Sequence, residues 1–281
     1  MNPWTWDSIW PAPAKLNLFL HVVGRRTDGY HLLQTVFRFI DRADQLRFSP
    51  RNDNRIILDT PLPGVPAESD LTVRAARLLQ DATGYQHGAS IALQKNLPMG
   101  GGLGGGSSDA ATVMLALNHL WQTGLSHSEL EKLGLTLGAD VPVFIHGRNT
   151  FAEGIGEAFT DLELPAESYL VLHPAASVPT AAIFGAPELK RDNARINPAD
   201  WRHGQGHNDL EPVASTRFPA VAEHLAWLRQ HAPQAMMTGS GACVFAGFPN
   251  QAAAAAVFQQ LPATMNGWLA DGLMHHPLIN L

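Results

Sequence analysis

Six of the seven positions from 100 to 106 are glycine, within Pro98-Met99-Gly100-Gly101-Gly102-Leu103-Gly104-Gly105-Gly106-Ser107-Ser108. A run like this is either a flexible linker or a backbone cradle for an anion. The flanks decide between them. Residues 90–93 (Ser-Ile-Ala-Leu) read as a strand, and the apolar positions Ala110, Ala111, Val113, Met114, Leu117 and Leu120 read as a helix reaching Trp121. Glycines folded over a helix start can aim several N–H groups at one oxyanion, and the helix adds its unpaired first-turn donors. A nucleoside triphosphate is the expected ligand.

What the loop lacks narrows the type of site. A Walker A loop ends in Gly-Lys-Ser/Thr, but here Gly106 is followed by Ser107-Ser108 and no lysine. A dinucleotide G-x-G-x-x-G can be laid over Gly100, Gly102 and Gly105, yet in so glycine-dense a run that match is nearly automatic. The dinucleotide fold also needs a second strand ending in an acid about 20 residues on. Instead Ser126 and Glu129 form a capping box that opens another helix.

The remaining chain favours a mixed α+β architecture. Residues 14–24 alternate, with Leu16, Leu18, Leu20 and Val22 on one side and Lys15, Asn17, Phe19 and His21 on the other. A turn at Thr27-Asp28-Gly29 leads to a strand over 33–40, a turn over 41–44 and a third strand over 45–48. Ser69 is expected to cap a helix ending at Gly84. Further strands are expected at 169–172, 243–247 and 268–270, helices at 221–231 and 252–261, and a second glycine loop at 237–242. The segment 190–206 is polar and irregular and carries no recognisable motif. Strands and helices mix without strict βαβ alternation. Two domains are expected, 1–160 and 161–281.

Bulk properties exclude several roles. Net charge is −6, and no Lys/Arg run exceeds two residues, so a nucleic-acid footprint is absent. No stretch is long and apolar enough to span a membrane, and no basic leader with a cleavage site opens the chain, so a cytoplasmic protein is expected. Cys243, the single cysteine, reads as a small buried residue. His275-His276 has no third spaced ligand, so no protein metal site is expected.

Phosphoryl transfer requires alignment, charge neutralisation and a group that receives the acceptor's proton. Asp140, pinned between Gly138-Ala139 and Pro142, suits the last role, and Lys15, sharing a face with Asn17, can pair with it. Tyr30 and His31 follow a glycine turn, where a flat ring could be stacked and its edge read.

The glycine segment closely resembles the phosphate loop of the GHMP small-molecule kinases. Pro11-Ala12-Pro13-Ala14-Lys15-Leu16-Asn17-Leu18 is similar to that superfamily's first motif, and Thr27-Asp28-Gly29-Tyr30-His31, Leu137-Gly138-Ala139-Asp140-Val141-Pro142 and Thr238-Gly239-Ser240-Gly241-Ala242-Cys243 resemble further segments in the expected order. The resemblance implies a two-domain GHMP kinase fold: an N-terminal domain like the second domain of ribosomal protein S5 and a ferredoxin-like C-terminal domain, with the site between them. It implies ATP as co-substrate with Mg²⁺, and phosphorylation of the 2-hydroxyl of 4-diphosphocytidyl-2-C-methyl-D-erythritol in the non-mevalonate isoprenoid route. By this likeness Asp140 is the proton acceptor and Lys15 its partner. Lys95, Pro98, Met99, Gly100, Gly101, Gly102, Leu103, Gly104, Gly105, Gly106, Ser107 and Ser108 hold the nucleotide. Asn17, Tyr30, His31, Thr180 and Phe184 hold the substrate, with Tyr30 and Phe184 sandwiching cytosine and His31 reading its edge. Two alternatives stand beside this: a homoserine- or mevalonate-type kinase of the same superfamily, or a nucleotide-binding regulator without catalysis.

Overall fold

Alternation along the strands sorts side chains onto the two faces of each sheet, and that sorting stacks two sheets face to face between outer helices. The structure, a computed structural model, describes residues 4–281. The first sheet contains β1 (Trp10–Arg25), β2 (His31–Arg51), β3 (Ile56–Leu58), β4 (Gly88–Gln94), β5 (Thr150–Glu153) and β6 (Ala158–Asp161). Its order runs β3-β4-β2-β5-β6, with β1 along the other edge of β2. The second sheet, of order β10-β7-β9-β8, contains β7 (Ser168–Leu172), β8 (Met236–Met237), β9 (Val244–Phe248) and β10 (Gly267–Asp271).

On β2, Phe37 and Phe39 point to a core shared with α1 (Leu71–Thr83), α2 (Gly105–Leu120), α3 (His127–Leu135) and α4 (Val141–His146), whereas Val36 and Ile40 point the other way. On β7, Tyr169 and Val171 meet Val36 and Ile40 in one inter-sheet core, while Leu170 and Leu172 face α6 (Glu211–Arg217), α7 (Pro219–His231) and α8 (Gln251–Phe258). The layers are therefore helix, sheet, sheet, helix. The short α5 (Thr180–Phe184) follows β7. The final residues return to the first layer, where Leu278 joins the core under α2 and α4.

Several local expectations are met. Ser126 and Glu129 form the capping box at α3, and α1 ends at Gly84 in the left-handed conformation. Cys243 is buried, and burial pushes its thiol up.

Three expectations are corrected. The helix cap is Asp70, not Ser69: its carboxylate accepts from Thr72 N at 2.8 Å. The turn expected at 41–44 does not interrupt the chain, because β2 is one continuous strand. Pro13 pairs with Ala43 and Ala14 with Ile40, so Asp41 and Arg42 are absorbed as extra residues in a bulge. The strict alternation of β1 also fails midway: the register shifts between Asn17 and Leu20, and Phe19 joins Leu16 and Leu18 in the inter-sheet core.

Candidate active site

The two glycine loops are stitched together by backbone hydrogen bonds. Ala242 N donates to Gly100 O at 3.0 Å, and Cys243 N donates to Gly101 O at 3.1 Å. This closeness leaves no room for a side chain at Gly102, which has φ of +73°. An added Cβ there would lie 2.1 Å from Thr238 O. Strand β1 closes the other side, with Lys15 N donating to Leu103 O at 3.0 Å.

Helix α2 starts inside the loop. Gly104, left-handed, precedes it, and the Ser108 N–H is already paired with Gly104 O at 2.8 Å. The first-turn N–H groups of Gly105, Gly106 and Ser107 precede the first intrahelical bond and are the donors that a helix start can offer to an anion. Ser107 lines the cavity, but Ser108 is fully buried and donates its hydroxyl to Pro13 O at 2.7 Å. Of the two serines expected at the nucleotide, Ser108 thus spends its hydroxyl on tying α2 to β1.

Lys15 is 3% exposed, and each ammonium proton has a direction. Its Nζ donates to Asn17 Oδ1 at 2.5 Å and to Gly102 O at 3.0 Å, and stands 3.4 Å from Asp140 Oδ2. Asn17 is fixed in turn, donating from Nδ2 to Thr35 Oγ1 at 2.9 Å and from its backbone to Thr238 Oγ1 at 3.0 Å. Asp140 immediately precedes α4, and its carboxylate makes no capping bond to that helix. The carboxylate therefore remains free for Lys15 and for an incoming hydroxyl.

Lys95 sits between two carboxylates, Asp44 and Asp109, with Asp109 Oδ2 at 2.7 Å. Burial works against its charge, but Asp109 and Asp44 outweigh that and hold its pKa above the ordinary value. Burial raises the pKa of Asp109. The group lies directly beneath Gly105.

Lys15, Lys95, Asp109, Asp140 and the glycine loop share one cavity of about 980 Å³ with the expected substrate residues Asn17, Tyr30, His31, Thr180 and Phe184. Tyr30 is 60% exposed at the rim. The ring packed against Phe184 is His31, at a centroid distance of 5.0 Å, so His31 lies closer to that stack than the sequence implied. Thr180 Oγ1 is bonded to Ser240 Oγ at 2.8 Å. His31 Nε2 accepts from Arg191 Nε at 3.0 Å, and burial, then the charges of Arg191 and Arg25, lower the His31 pKa. Among the described residues, no group of three His, Cys, Asp or Glu side chains could hold a metal ion.

Sequence reasoning missed several contributors. Arg191 comes from the segment without a motif. Asp44 and Asp109 flank Lys95 from β2 and α2, and Thr238 ties both loops to Asn17. The start of α1, residues 69–72, also lines the cavity. The only available signal was that Asp109 follows the serines on the loop-facing turn; the other contacts depend on pairings distant in sequence.

The GHMP kinases N terminal domain family matches residues 70–148, and the GHMP kinases C terminal family matches residues 186–267. A protein of Dechloromonas aromatica named 4-diphosphocytidyl-2-C-methyl-D-erythritol kinase is 75% identical over 97% of this chain and 100% of its own length. A crystal structure of 4-(cytidine 5'-diphospho)-2C-methyl-D-erythritol kinase superposes with a TM-score of 0.81 at 35% identity, covering 94% of this chain and 99% of that one. A homoserine kinase from Cytophaga hutchinsonii superposes with a TM-score of 0.68 at 17% identity, covering 95% of this chain and 94% of its own, a likeness of fold alone.

Proposed function

Because the chain belongs to the GHMP kinases, and within them to the 4-diphosphocytidyl-2-C-methyl-D-erythritol kinases, we propose that its cavity performs that reaction through Asp140 and Lys15. The enzyme is a small-molecule kinase that moves the γ-phosphoryl group of ATP to the 2-hydroxyl of 4-diphosphocytidyl-2-C-methyl-D-erythritol, giving the 2-phosphate and ADP. This is a step of non-mevalonate isoprenoid precursor synthesis. The observation that carries the catalytic reading is the Lys15–Asp140 pair standing over the glycine loop in a cavity shared with His31 and Phe184.

In this reading the acceptor oxygen forms a bond to the γ-phosphorus as the bond to the ADP oxygen breaks, and the hydroxyl proton goes to Asp140. Lys15 orients that carboxylate and offsets charge growing on the transferred group. The accepting hydroxyl is tertiary and hindered, so alignment contributes more than basicity. The free donors of Gly105, Gly106 and Ser107 hold the phosphates, with Lys95 beneath them. Tyr30, His31 and Phe184 hold the cytosine, and Asn17 and Thr180 complete the substrate contacts.

Mg²⁺ is proposed to arrive on the nucleotide, where it neutralises phosphate charge. The Ser107 hydroxyl, which lines the cavity at the loop, would offer such an ion a protein oxygen. The two-domain division at 160/161 and a cytoplasmic location are proposed on the same basis. No helix among the described residues is long and apolar enough to cross a membrane. Nothing in the charge distribution favours a nucleic-acid partner.

The test is ADP release by the purified enzyme with Mg-ATP and a panel of acceptors. Turnover with the cytidyl substrate and not with homoserine or mevalonate supports the reading. Turnover with homoserine or mevalonate would move the chain to another branch of the superfamily.

A further inference from the structure

The segment over 190–206, which has no motif, places one guanidinium against His31 and Phe184, two residues that line the cavity. Arg191 spends four of its five N–H groups there. Nη1 donates to Leu189 O at 2.8 Å, and Nη2 donates to Phe184 O at 3.0 Å and Ala186 O at 2.6 Å. Nε donates to His31 Nε2 at 3.0 Å.

A guanidinium can only donate, so His31 Nε2 must present its lone pair, and the neutral imidazole then carries its proton on Nδ1. The positive neighbours and the burial that lower the His31 pKa keep the ring neutral in this arrangement. Among the described residues no hydrogen bond engages Nδ1, while His31 itself lines the cavity. A free imidazole in water prefers the opposite tautomer, with the proton on Nε2. Arg191 also holds the Phe184 carbonyl, so one residue fixes both the stacking ring and the donating ring, whose centroids are 5.0 Å apart.

We propose that Arg191 is a positioning residue for base specificity, acting through His31: it locks the imidazole as an Nδ1–H donor, and the pocket therefore selects cytosine over uracil. The proposal rests on the cytidyl reading of the cavity. Cytosine offers a lone pair at N3 that can accept from Nδ1–H, whereas uracil carries N3–H. Two donors would then face each other, leaving a polar group unpaired. Sites built around such a hydrogen bond reject a mismatched analogue more strongly than sites that only fit its shape.

The experiment uses the whole enzyme with cytidine diphosphate and uridine diphosphate as probes, in calorimetric binding, and with long-range ¹H–¹⁵N NMR of the His31 ring. The variants are Arg191→Ala and Arg191→Lys. Lysine retains a cation for the Phe184 and Ala186 carbonyls but cannot bridge them and His31 together, so it keeps the test decisive if the alanine variant unfolds. In the wild type, His31 should carry its proton on Nδ1 and cytidine diphosphate should bind more tightly. In the folded variants, the proton should move toward Nε2 and the preference should fall by about tenfold or more. KM for the cytidyl substrate should rise without a matching rise for ATP. An unchanged His31 tautomer or an unchanged base preference in folded Arg191→Lys would overturn the proposal. A wild type indifferent to the base would overturn the cytidyl reading itself, and the proposal with it.

Discussion

Lys15 Nζ stands 3.4 Å from Asp140 Oδ2, joining a lysine 3% exposed on β1 to a carboxylate 36% exposed at the start of α4. The pair crosses the glycine loop, because the same ammonium is bonded to Gly102 O. The proposed proton acceptor and the glycine loop are thereby held by one side chain.

Asp140→Asn is expected to reduce kcat by roughly 10² to 10⁴ with little effect on KM for ATP or for the cytidyl substrate. Steady-state kinetics on both substrates checks this. Turnover like that of the wild type would remove Asp140 from the chemistry.

Lys15→Met should be costly in both rate and stability. Removing the ammonium leaves Asn17 Oδ1 and Gly102 O to share the single hydroxyl proton of Thr238, 3.3 Å from each, so one acceptor loses its donor inside the site, at about 1–3 kcal/mol. A drop in kcat together with a lower urea midpoint is expected. A fall in kcat at unchanged stability would show that the loop does not depend on this bridge.

Gly102→Ala tests the stitching of the loops. The new Cβ would meet Thr238 O in a left-handed backbone, so the two loops must separate, at a cost of about 1 kcal/mol or more. The expected result is weaker ATP binding and a lower Tm. ATP affinity like that of the wild type would mean the loop junction is slack.

His31→Ala should raise KM for the cytidyl substrate much more than KM for ATP, because His31 packs against Phe184, with which it is proposed to hold the base. Equal increases in both would assign His31 to packing.

The C-terminal return carries a pH signature. His276 is fully buried, and burial, then the charges of His275 and His127, lower its pKa to about 3. The unfolded chain takes up this proton near pH 6.5 while the native state does not, so stability falls as pH drops below 6.5 toward 3, by up to about 1.4 kcal/mol per unit. Urea unfolding at about pH 7 and pH 5.5 should show the wild type losing about 1 kcal/mol more than His276→Asn. Equal losses would contradict the burial argument.

What the sequence revealed was local. The glycine run, the Ser126–Glu129 capping box and the alternation that puts Lys15 beside Asn17 are all patterns within a few residues, set by backbone sterics and strand period. What it concealed depends on pairing. Asp41 and Arg42 look like a turn until β1 lies alongside and absorbs them in a bulge. Ser108 looks like a ligand residue until Pro13 claims its hydroxyl. Arg191 lies in polar sequence without periodicity, and its role exists only because the fold brings it to His31, 160 residues away in the chain.

The most direct test of the central claim is the position of the transferred phosphate. The enzyme is incubated with Mg-ATP and 4-diphosphocytidyl-2-C-methyl-D-erythritol, and the product is read by ³¹P NMR. The account predicts a new phosphomonoester on the 2-hydroxyl with the diphosphate bridge intact and ADP formed in equal amount. A phosphate at another hydroxyl, or ATP bound without any transfer, would contradict it.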